Sequence, residues 1–351
     1  MNPTANMTDV VDELRQLAQG QCIWCELGIN HPAYSPCLRQ GERSTPSAAA
    51  LPRPFPGEIA RFGEQDEFVL RMAVAEEDRL KAWHLVYQEY LLHGYTQPQE
   101  LALRYSLHDA LPDTATFLVE KSNQLIGTVT VFPDSPLGLP ADETYQEEID
   151  ALRQAGRDPV EIGRLAIRQD FGSDRRVLIN LLDALSLYAR CVRRATDLVI
   201  TVNPSHAKFY ERAILFGRIG GQKDLGSVCG AAAVLLRLDL SLEEKARRWA
   251  HGEGPRPEVP IGGHTAYPHV SGLAEEEARV SRMRQVHRRP GEAFIRRYFV
   301  RVRPLIPELP SSLRYFFEQC YPGLRSAWVE QETWPGSGNR TTPANTMEGL
   351  T

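Results

Sequence analysis

The chain lacks the sequence features of membrane-spanning and secreted proteins. No run approaches about 18 consecutive apolar residues, the length from which a membrane span is predicted. The first residues, Met1 to Asn6, contain neither a basic nor an apolar stretch, so we expect no secretory signal. Six cysteines in 351 residues are too few for a disulfide scaffold. The sequence therefore predicts a cytoplasmic protein, with any membrane contact peripheral.

The charge balance excludes a further class of partner. Lysine and arginine total 40 against 45 acidic residues, which gives a net charge of -5. Nucleic-acid-binding proteins are usually strongly basic, so we expect no nucleic-acid partner. Hydrophobic residues make up 42% of the chain, enough for one good core and a second, smaller unit.

Local composition divides the chain into three regions. Residues 1–60 are expected to form a flexible N-terminal segment, because residues 41–56 are rich in Ser, Ala and Pro. Residues 61–241 alternate between strand and helix periodicities and should form the folded core. Residues 242–351 are expected to be a helical extension that includes a Gly/Pro linker and a disordered tail.

The core region predicts an α+β fold. The expected elements are, in order, a strand at 67–74, a helix at 76–94, a hairpin at 116–132, a helix at 142–155, a strand at 160–167, a helix at 175–194, a strand at 198–203, a helix at 204–212 and two strands ending at Asp239.

Three separated motifs stand out within this region. The first is LIGTVTVF at 125–132, followed by DS at 134–135 and GLPAD at 138–142. The second is EIGRLAI at 161–167. The third is NPSH at 203–206 with FYER at 209–212.

Together these motifs resemble the catalytic core of the long-chain N-acyl amino acid synthases of the FeeM type. That family belongs to the GNAT superfamily and is related to the autoinducer synthases. The resemblance implies a GNAT-type mixed, mostly antiparallel sheet flanked by helices. It also implies transfer of a fatty acyl group to the amine of an amino acid, without a tightly bound cofactor. The implied donor is acyl carrier protein or acyl-CoA.

The turn before the long helix favours the protein-bound donor. CoA-dependent members of the superfamily usually carry a glycine-rich turn there, whose backbone N–H groups hold the pyrophosphate. In this chain the turn reads RQDFGSD from Arg168 to Asp174, with one glycine and two acids. Its carboxylates would repel a pyrophosphate.

Candidate catalytic residues follow from the resemblance. Glu161 is the candidate for binding or deprotonating the amine, and the alternative is a strand-end glutamate paired with a surface arginine. Tyr210 is the candidate acid toward the departing thiolate, and the alternative is a core aromatic. Arg164 suits the acceptor carboxylate because a guanidinium binds carboxylates through two parallel hydrogen bonds, and the alternative is an ion pair at the core edge.

Other residues are expected at the substrate site. His206 either contacts substrate or caps its helix, and Asn203 shapes the strand-to-helix turn. Thr128 and Asp134 complete the candidate substrate-binding set. An ideal strand would point Glu161 and Arg164 to opposite faces, so a shared site requires a one-residue bulge, which we expect at Gly163.

The C-terminal region has two candidate roles. Its aromatic residues either line an acyl-chain groove or pack the extension onto the core; they are Phe294, Tyr298, Phe299, Tyr315, Phe316, Phe317 and Tyr321. A basic stretch either docks the acidic acyl carrier protein or forms a solvated helix face. Its members are Arg282, Arg284, Arg288, Arg289, Arg296 and Arg297.

The N-terminal cysteines leave three alternatives open. Cys22, Cys25, His31 and Cys37 have a spacing compatible with a zinc site, but a CxxC sequence alone is weak evidence for zinc, and free thiols or a redox pair are the alternatives. We expect no metal elsewhere in the chain.

Three rival functions remain beside the N-acyl amino acid synthase. One is an acyl-CoA-dependent GNAT acting on a small amine or a protein lysine. Another is an acyl-homoserine-lactone-type autoinducer synthase. Gly163 argues against this alternative, because that family has serine at the corresponding position. The third is a non-catalytic, acyl-binding GNAT domain.

Overall fold

A computed structural model of the chain describes residues 55–172, 174–250, 252–255 and 272–325. Within these residues a single eight-stranded sheet has the order β1-β2-β3-β4-β5-β6-β8-β7. The strands are β1 (Glu58–Phe62), β2 (Phe68–Met72), β3 (Ala115–Lys121), β4 (Gln124–Pro133), β5 (Pro159–Ile167), β6 (Asp197–Val202), β7 (Gly217–Leu225) and β8 (Ala231–Asp239).

Helices cover the two faces of this sheet and continue into the C-terminal region. They are α1 (Glu76–Leu92), α2 (Asp142–Gln154), α3 (Arg175–Leu187), α4 (Pro204–Ala213), α5 (Leu240–Ala250), α6 (Leu273–Val286), α7 (Glu292–Ile295) and α8 (Ser311–Cys320). A π-helical segment, Tyr188–Arg193, prolongs α3, and a second one, Arg296–Val302, prolongs α7. No helix of the described residues is long and apolar enough to cross a membrane.

Every neighbouring pair of strands is antiparallel except β5 and β6, which are parallel. The predicted α+β fold with a mixed, mostly antiparallel GNAT-type sheet is therefore confirmed. The sheet begins at Glu58, slightly before Arg61, where we expected the core to start. This edge strand was missed because only Ile59 in it is fully buried, so its hydrophobic alternation is weak.

The sheet opens at its parallel pair. Strands β5 and β6 pair only from Pro159 to Ile162 and from Asp197 to Ile200. Beyond those residues β5 continues to Ile167 and pairs with β4 as its only neighbouring strand among the described residues, so a wedge opens between the two parallel strands. Side chains near the end of β5 and the start of α4 are therefore brought to one opening in the sheet.

The C-terminal extension packs onto the core through aromatic rings. Trp83 of α1 stacks on Tyr105 with ring centres 4.5 Å apart, and Phe294 lies 5.5 Å from the same tryptophan. Of the seven aromatic residues considered for an acyl groove, five are buried in this contact: Phe294, Tyr298, Phe299, Phe317 and Tyr321. Tyr315 remains 57% exposed. Packing is thus the role that the structure gives to most of these rings.

A cluster of buried charges also connects the extension to the core. Asp183 of α3 accepts hydrogen bonds from Arg247 of α5 at 2.5 Å and from Arg279 of α6 at 2.6 Å. Arg247 also donates to Glu276 of α6 at 2.8 Å. Removing one partner from such a buried cluster leaves an uncompensated charge, so the cluster fixes α6 against α3 and α5.

Candidate active site

Strand β5 carries a bulge where the wedge opens. Thr128 pairs with Ala166 and Thr130 pairs with Gly163, so Arg164 and Leu165 together face the single residue between the two threonines. Arg164 has a φ of 54°, a left-handed conformation that is unfavourable for a residue with a β-carbon. The expected bulge is present, centred on Arg164 rather than on Gly163.

The two Nη atoms of the Arg164 guanidinium contact the segment that follows α1, whereas its buried Nε has no hydrogen-bond partner among the described residues. Its Nη2 donates to Asp109 Oδ2 at 2.7 Å and to Ser106 Oγ at 2.9 Å. Its Nη1 donates to the carbonyl of Arg104 at 2.9 Å. These contacts form the core-edge ion pair that was the alternative for Arg164, and an acceptor carboxylate would have to compete with Asp109.

Glu161 is buried at the start of the wedge. Its side chain is 4% exposed, and its Oε2 accepts a hydrogen bond from the Ala141 N–H at 2.6 Å. Burial, with a smaller contribution from the charge of Asp142, raises its pKa to about 8 against the opposing effects of the Ala141 hydrogen bond and Arg164. Among the described residues no arginine forms a salt bridge with Glu161, whereas the alternative role of this glutamate required a surface arginine as its partner.

Tyr210 lies on the inner face of α4, 6% exposed and in contact with the rings of Phe209 and Phe216 at 5.3 and 5.9 Å. Its hydroxyl has no hydrogen-bond partner within the described part of the chain. Burial raises its pKa to about 12, and the nearby Tyr90 adds to that shift. The phenol is therefore protonated at neutral pH.

Tyr90, at the end of α1, connects these groups and was not anticipated from the sequence. The guanidinium carbon of Arg104 lies 5.1 Å from the centre of its ring. Burial raises the pKa of Tyr90, the charges of Arg164 and Arg104 lower it, and Tyr95 and Glu161 raise it. In the sequence Tyr90 continues the helical spacing of Leu80, Trp83 and Tyr87, and this spacing does not distinguish a core tyrosine from a tyrosine of the site.

Two of the expected substrate-binding residues form hydrogen bonds within the protein. Thr128 is completely buried, and its hydroxyl donates to the Phe117 carbonyl of β3 at 3.0 Å. Asp134 accepts hydrogen bonds from Arg153 at 2.7 and 2.9 Å, which ties the loop after β4 to α2. Neither side chain is available to a substrate without losing these bonds.

The residues of the third motif differ in their surroundings, since Asn203 caps a helix and His206 is exposed to solvent. Asn203 caps α4, since its Oδ1 accepts from the Ser205 N–H at 3.0 Å and from the Ser205 hydroxyl at 2.7 Å. The side chain of His206 is exposed on the first turn of α4 and makes no contact with Glu161 or Arg164 among the described hydrogen bonds.

The turn before α3 is occupied by its own carboxylates. Asp174 caps α3 by accepting from the Arg176 N–H at 3.0 Å. Arg168 is paired with Asp170 at 2.7 Å. The helix N-terminus, where a pyrophosphate would bind in a CoA-dependent enzyme, therefore already carries a capping carboxylate.

The basic stretch of the extension is largely exposed. Arg282, Arg284, Arg288, Arg289 and Arg297 are exposed, whereas Arg296 is half-buried and donates to the Gly323 carbonyl at 2.6 Å. Within the described ranges no carboxylate forms a salt bridge with any of the six. We refer to them as the arginine band.

The cysteine and histidine residues considered for zinc, Cys22, Cys25, His31 and Cys37, lie outside the described residues. Over the residues that the structure does describe, no group of three or more His, Cys, Asp or Glu side chains could hold a metal ion.

Comparison with known proteins agrees with the resemblance that the motifs indicated. Residues 81–239 match the family model described as N-acyl amino acid synthase FeeM. This match covers all three motifs, the wedge, the bulge and both candidate catalytic residues. No curated protein matches the chain at the threshold applied.

Several solved structures are similar to part of the chain. FeeM, an N-acyl amino acid synthase from uncultured soil microbes, is 28% identical and has a TM-score of 0.44 over 50% of this chain and 91% of its own. The acyl-homoserine lactone synthase LasI is 17% identical, with a TM-score of 0.41 over 55% and 98% of the two chains. The CoA-dependent acyl-homoserine lactone synthase BjaI is 14% identical, with a TM-score of 0.37 over 52% and 85%.

The sheet with its parted parallel strands defines a GNAT-type fold, and the family match identifies the protein as an acyltransferase. The FeeM-type resemblance predicted from the three motifs is thereby confirmed over residues 81–239.

Proposed function

We propose that this acyltransferase moves a fatty acyl group from acyl carrier protein to the amine of an amino acid and so makes an N-acyl amino acid. The observation that carries the proposal is Glu161, a buried carboxyl at the parting of β5 and β6 with a pKa of about 8. A base with a pKa near the operating pH suits removal of a proton from an ammonium group.

The reaction needs two protons to leave the ammonium nitrogen and the carrier thiol to depart. In the proposed step the ammonium gives its first proton to Glu161, the free amine attacks the thioester carbonyl, and a C–N bond forms. The C–S bond then breaks, the Tyr210 hydroxyl gives its proton to the departing sulfur, and the nitrogen returns its second proton to Tyr210, which stays protonated at neutral pH because its pKa is high. Glu161 then returns its proton to solvent.

Acyl carrier protein is favoured over CoA as the donor by two features of the surface. Asp174 already caps α3, so the turn before this helix offers a poor site for a pyrophosphate. The arginine band offers positive charge that forms no salt bridge with a described carboxylate, which suits an acidic protein partner. The Arg79 side chain donates to the Arg288 carbonyl, so the band lies beside the first half of α1.

The band and the site are connected by one helix. Arg79 and Tyr90 both belong to α1 and lie about 16 Å apart along its axis, at about 1.5 Å per residue. A carrier protein docked at the band would therefore lie within one helix length of Tyr90. This arrangement is the basis for placing the donor on the α1 side of the wedge.

Mass spectrometry of lipid extracts tests the function directly. Cells overproducing the protein are compared with cells producing Glu161→Gln at the same level. The proposal predicts new N-acyl amino acids in the first extract that are absent from the second. If well-folded protein gives no new lipid, or gives an N-acyl homoserine lactone, the proposed acceptor is wrong.

A purified assay separates the two donors. Palmitoyl-acyl carrier protein and palmitoyl-CoA are supplied in parallel with the twenty L-amino acids. Turnover with the carrier protein and little turnover with CoA is the expected result. A preference for CoA would instead favour the CoA-dependent GNAT alternative.

A further inference from the structure

The candidate site contains two arginines, and they are paired differently. Arg164 forms an ion pair with Asp109. Arg104 forms no ion pair with any carboxylate of the described residues. Its guanidinium instead donates to the Ser227 carbonyl in the β7–β8 turn and lies over the Tyr90 ring. Its contact with the Thr96 hydroxyl is long, at 3.5 Å.

Arg104 lies at the same opening as the proposed catalytic groups. Its own carbonyl accepts a hydrogen bond from Arg164 at 2.9 Å, and its side chain spans from Tyr90 to the turn between β7 and β8. Tyr90 in turn interacts electrostatically with Glu161 and with Tyr210. The guanidinium of Arg104 therefore lies beside Tyr90, and its backbone is held by Arg164 of the β5 bulge.

The local charges leave the surroundings of Arg104 positive. Arg104, Arg164 and Arg303 supply three positive charges, and Asp109 supplies one negative charge. Glu161 is largely neutral below its pKa of about 8. Burial and the charge of Arg164 both lower the pKa of Arg104, so the two guanidinium groups repel each other. A bound anion beside Arg104 would compensate this repulsion.

We propose that Arg104, and not Arg164, binds the carboxylate of the amino acid acceptor, with the acceptor amine directed toward Glu161. The guanidinium would contribute a charge-assisted hydrogen bond, and the Tyr90 ring would hold it in place. This inference rests on the proposed function and replaces the role that sequence analysis gave to Arg164. It predicts that the enzyme selects acceptors by their free carboxylate.

The test compares amino acids with their carboxamides, which keep the amine and the side chain but lack the negative charge. Palmitoyl-acyl carrier protein is the donor, and the twenty L-amino acids are first screened with the unmodified enzyme to find the best acceptor. KM and kcat are then measured for that amino acid and for its carboxamide. The enzymes compared are the unmodified protein, Arg104→Gln and Arg104→Lys.

We expect Arg104→Gln to raise KM for the amino acid by about 10- to 100-fold, the usual worth of a hydrogen bond to a charged group. The carboxamide, already a weak acceptor, should change little. Arg104→Lys keeps the charge and should lose less. Arg303 is the matched control because it also donates to a carbonyl, that of Tyr105 at 3.1 Å, lies over an aromatic ring and has no carboxylate partner among the described residues.

Each outcome separates the inference from the function on which it rests. Equal losses with the acid and the carboxamide, or a similar loss in Arg303→Gln, would mean that Arg104 is structural. If Arg164→Gln weakens use of the amino acid but not of its carboxamide, and Arg104→Gln has no effect, then Arg164 is the residue that binds the acceptor carboxylate. An unmodified enzyme that prefers carboxamides would overturn the inference while acyl transfer stands. Failure to acylate any amino acid would overturn the proposed function itself.

Discussion

Arg164 and Asp109 form an ion pair of 2.7 Å that joins the bulge of β5 to the segment after α1. Asp109 is almost fully buried and also accepts hydrogen bonds from the Trp83 indole at 3.1 Å and from the Ser106 N–H at 2.8 Å. One carboxylate thus fixes the left-handed Arg164, the N-terminus of a short 3-10 helix and the aromatic cluster under the C-terminal extension.

Asp109→Ala should destabilise the protein strongly, because it leaves the buried Arg164 charge without its partner. We expect a loss of about 3–5 kcal/mol in the free energy of unfolding, measured by urea denaturation. The double variant Asp109→Ala/Arg164→Gln should lose less than the sum of the two single variants. Strict additivity would show that the two side chains are not energetically coupled.

Gly163 should not tolerate a β-carbon. An added Cβ would lie 2.8 Å from the Phe132 ring, which also packs under the Arg164 guanidinium at 5.6 Å. Gly163→Ala should therefore cost about 1–3 kcal/mol and displace Arg164, as overpacking does in cores. Thermal unfolding and turnover both report this. A second change, Phe132→Leu, should partly restore both quantities, and absence of any restoration would contradict the contact.

Tyr210→Phe should fold normally and lose turnover. The ring contacts with Phe209 and Phe216 remain, and the hydroxyl has no described protein partner to lose. If the phenol assists the departing thiolate, kcat should fall by about 100-fold with little change in KM. Tyr90→Phe is the comparison, expected to weaken acceptor binding more than kcat. Unchanged kcat in Tyr210→Phe would make Tyr210 a core aromatic.

Charge reversal in the arginine band should weaken the donor protein specifically. Arg282→Glu/Arg284→Glu/Arg288→Glu is expected to raise KM for palmitoyl-acyl carrier protein by at least about tenfold, and the unmodified enzyme should lose affinity as salt rises. KM for the amino acid should stay the same. Arg248→Glu on α5 is the control, an exposed arginine outside the band. If the control variant raises KM for the carrier protein as much as the band variant does, the arginine band is only a solvated helix face.

The sequence predicted most of the fold because the elements of the core obey simple periodicities. The strand at 160–167 and the helix from Arg175 both follow from the spacing of their apolar residues. Even the bulge followed from the geometric conflict between Glu161 and Arg164. The edge strand β1 escaped detection because an edge strand that buries little carries a weak pattern.

The site was harder to predict because side-chain partners come from distant parts of the chain. Arg164 meets Asp109, and Glu161 meets the Ala141 N–H, through folding of segments that no local pattern connects. Thr128 and Asp134 belong to a motif that resembles the family, yet their side chains are engaged within the sheet and with Arg153. Tyr90 and Arg104 carry no motif at all, and only the packing of α1 against the wedge brings them to the site.

The pH dependence of turnover, compared between the unmodified enzyme and Glu161→Gln, tests the account most directly. The amine of the acceptor also titrates near neutral pH, so the informative quantity is the ratio of kcat/KM values for the two enzymes at each pH. If Glu161 is the base, this ratio should rise about tenfold per pH unit below about 8 and level off above it. A ratio near one that does not change with pH would contradict the central role of Glu161.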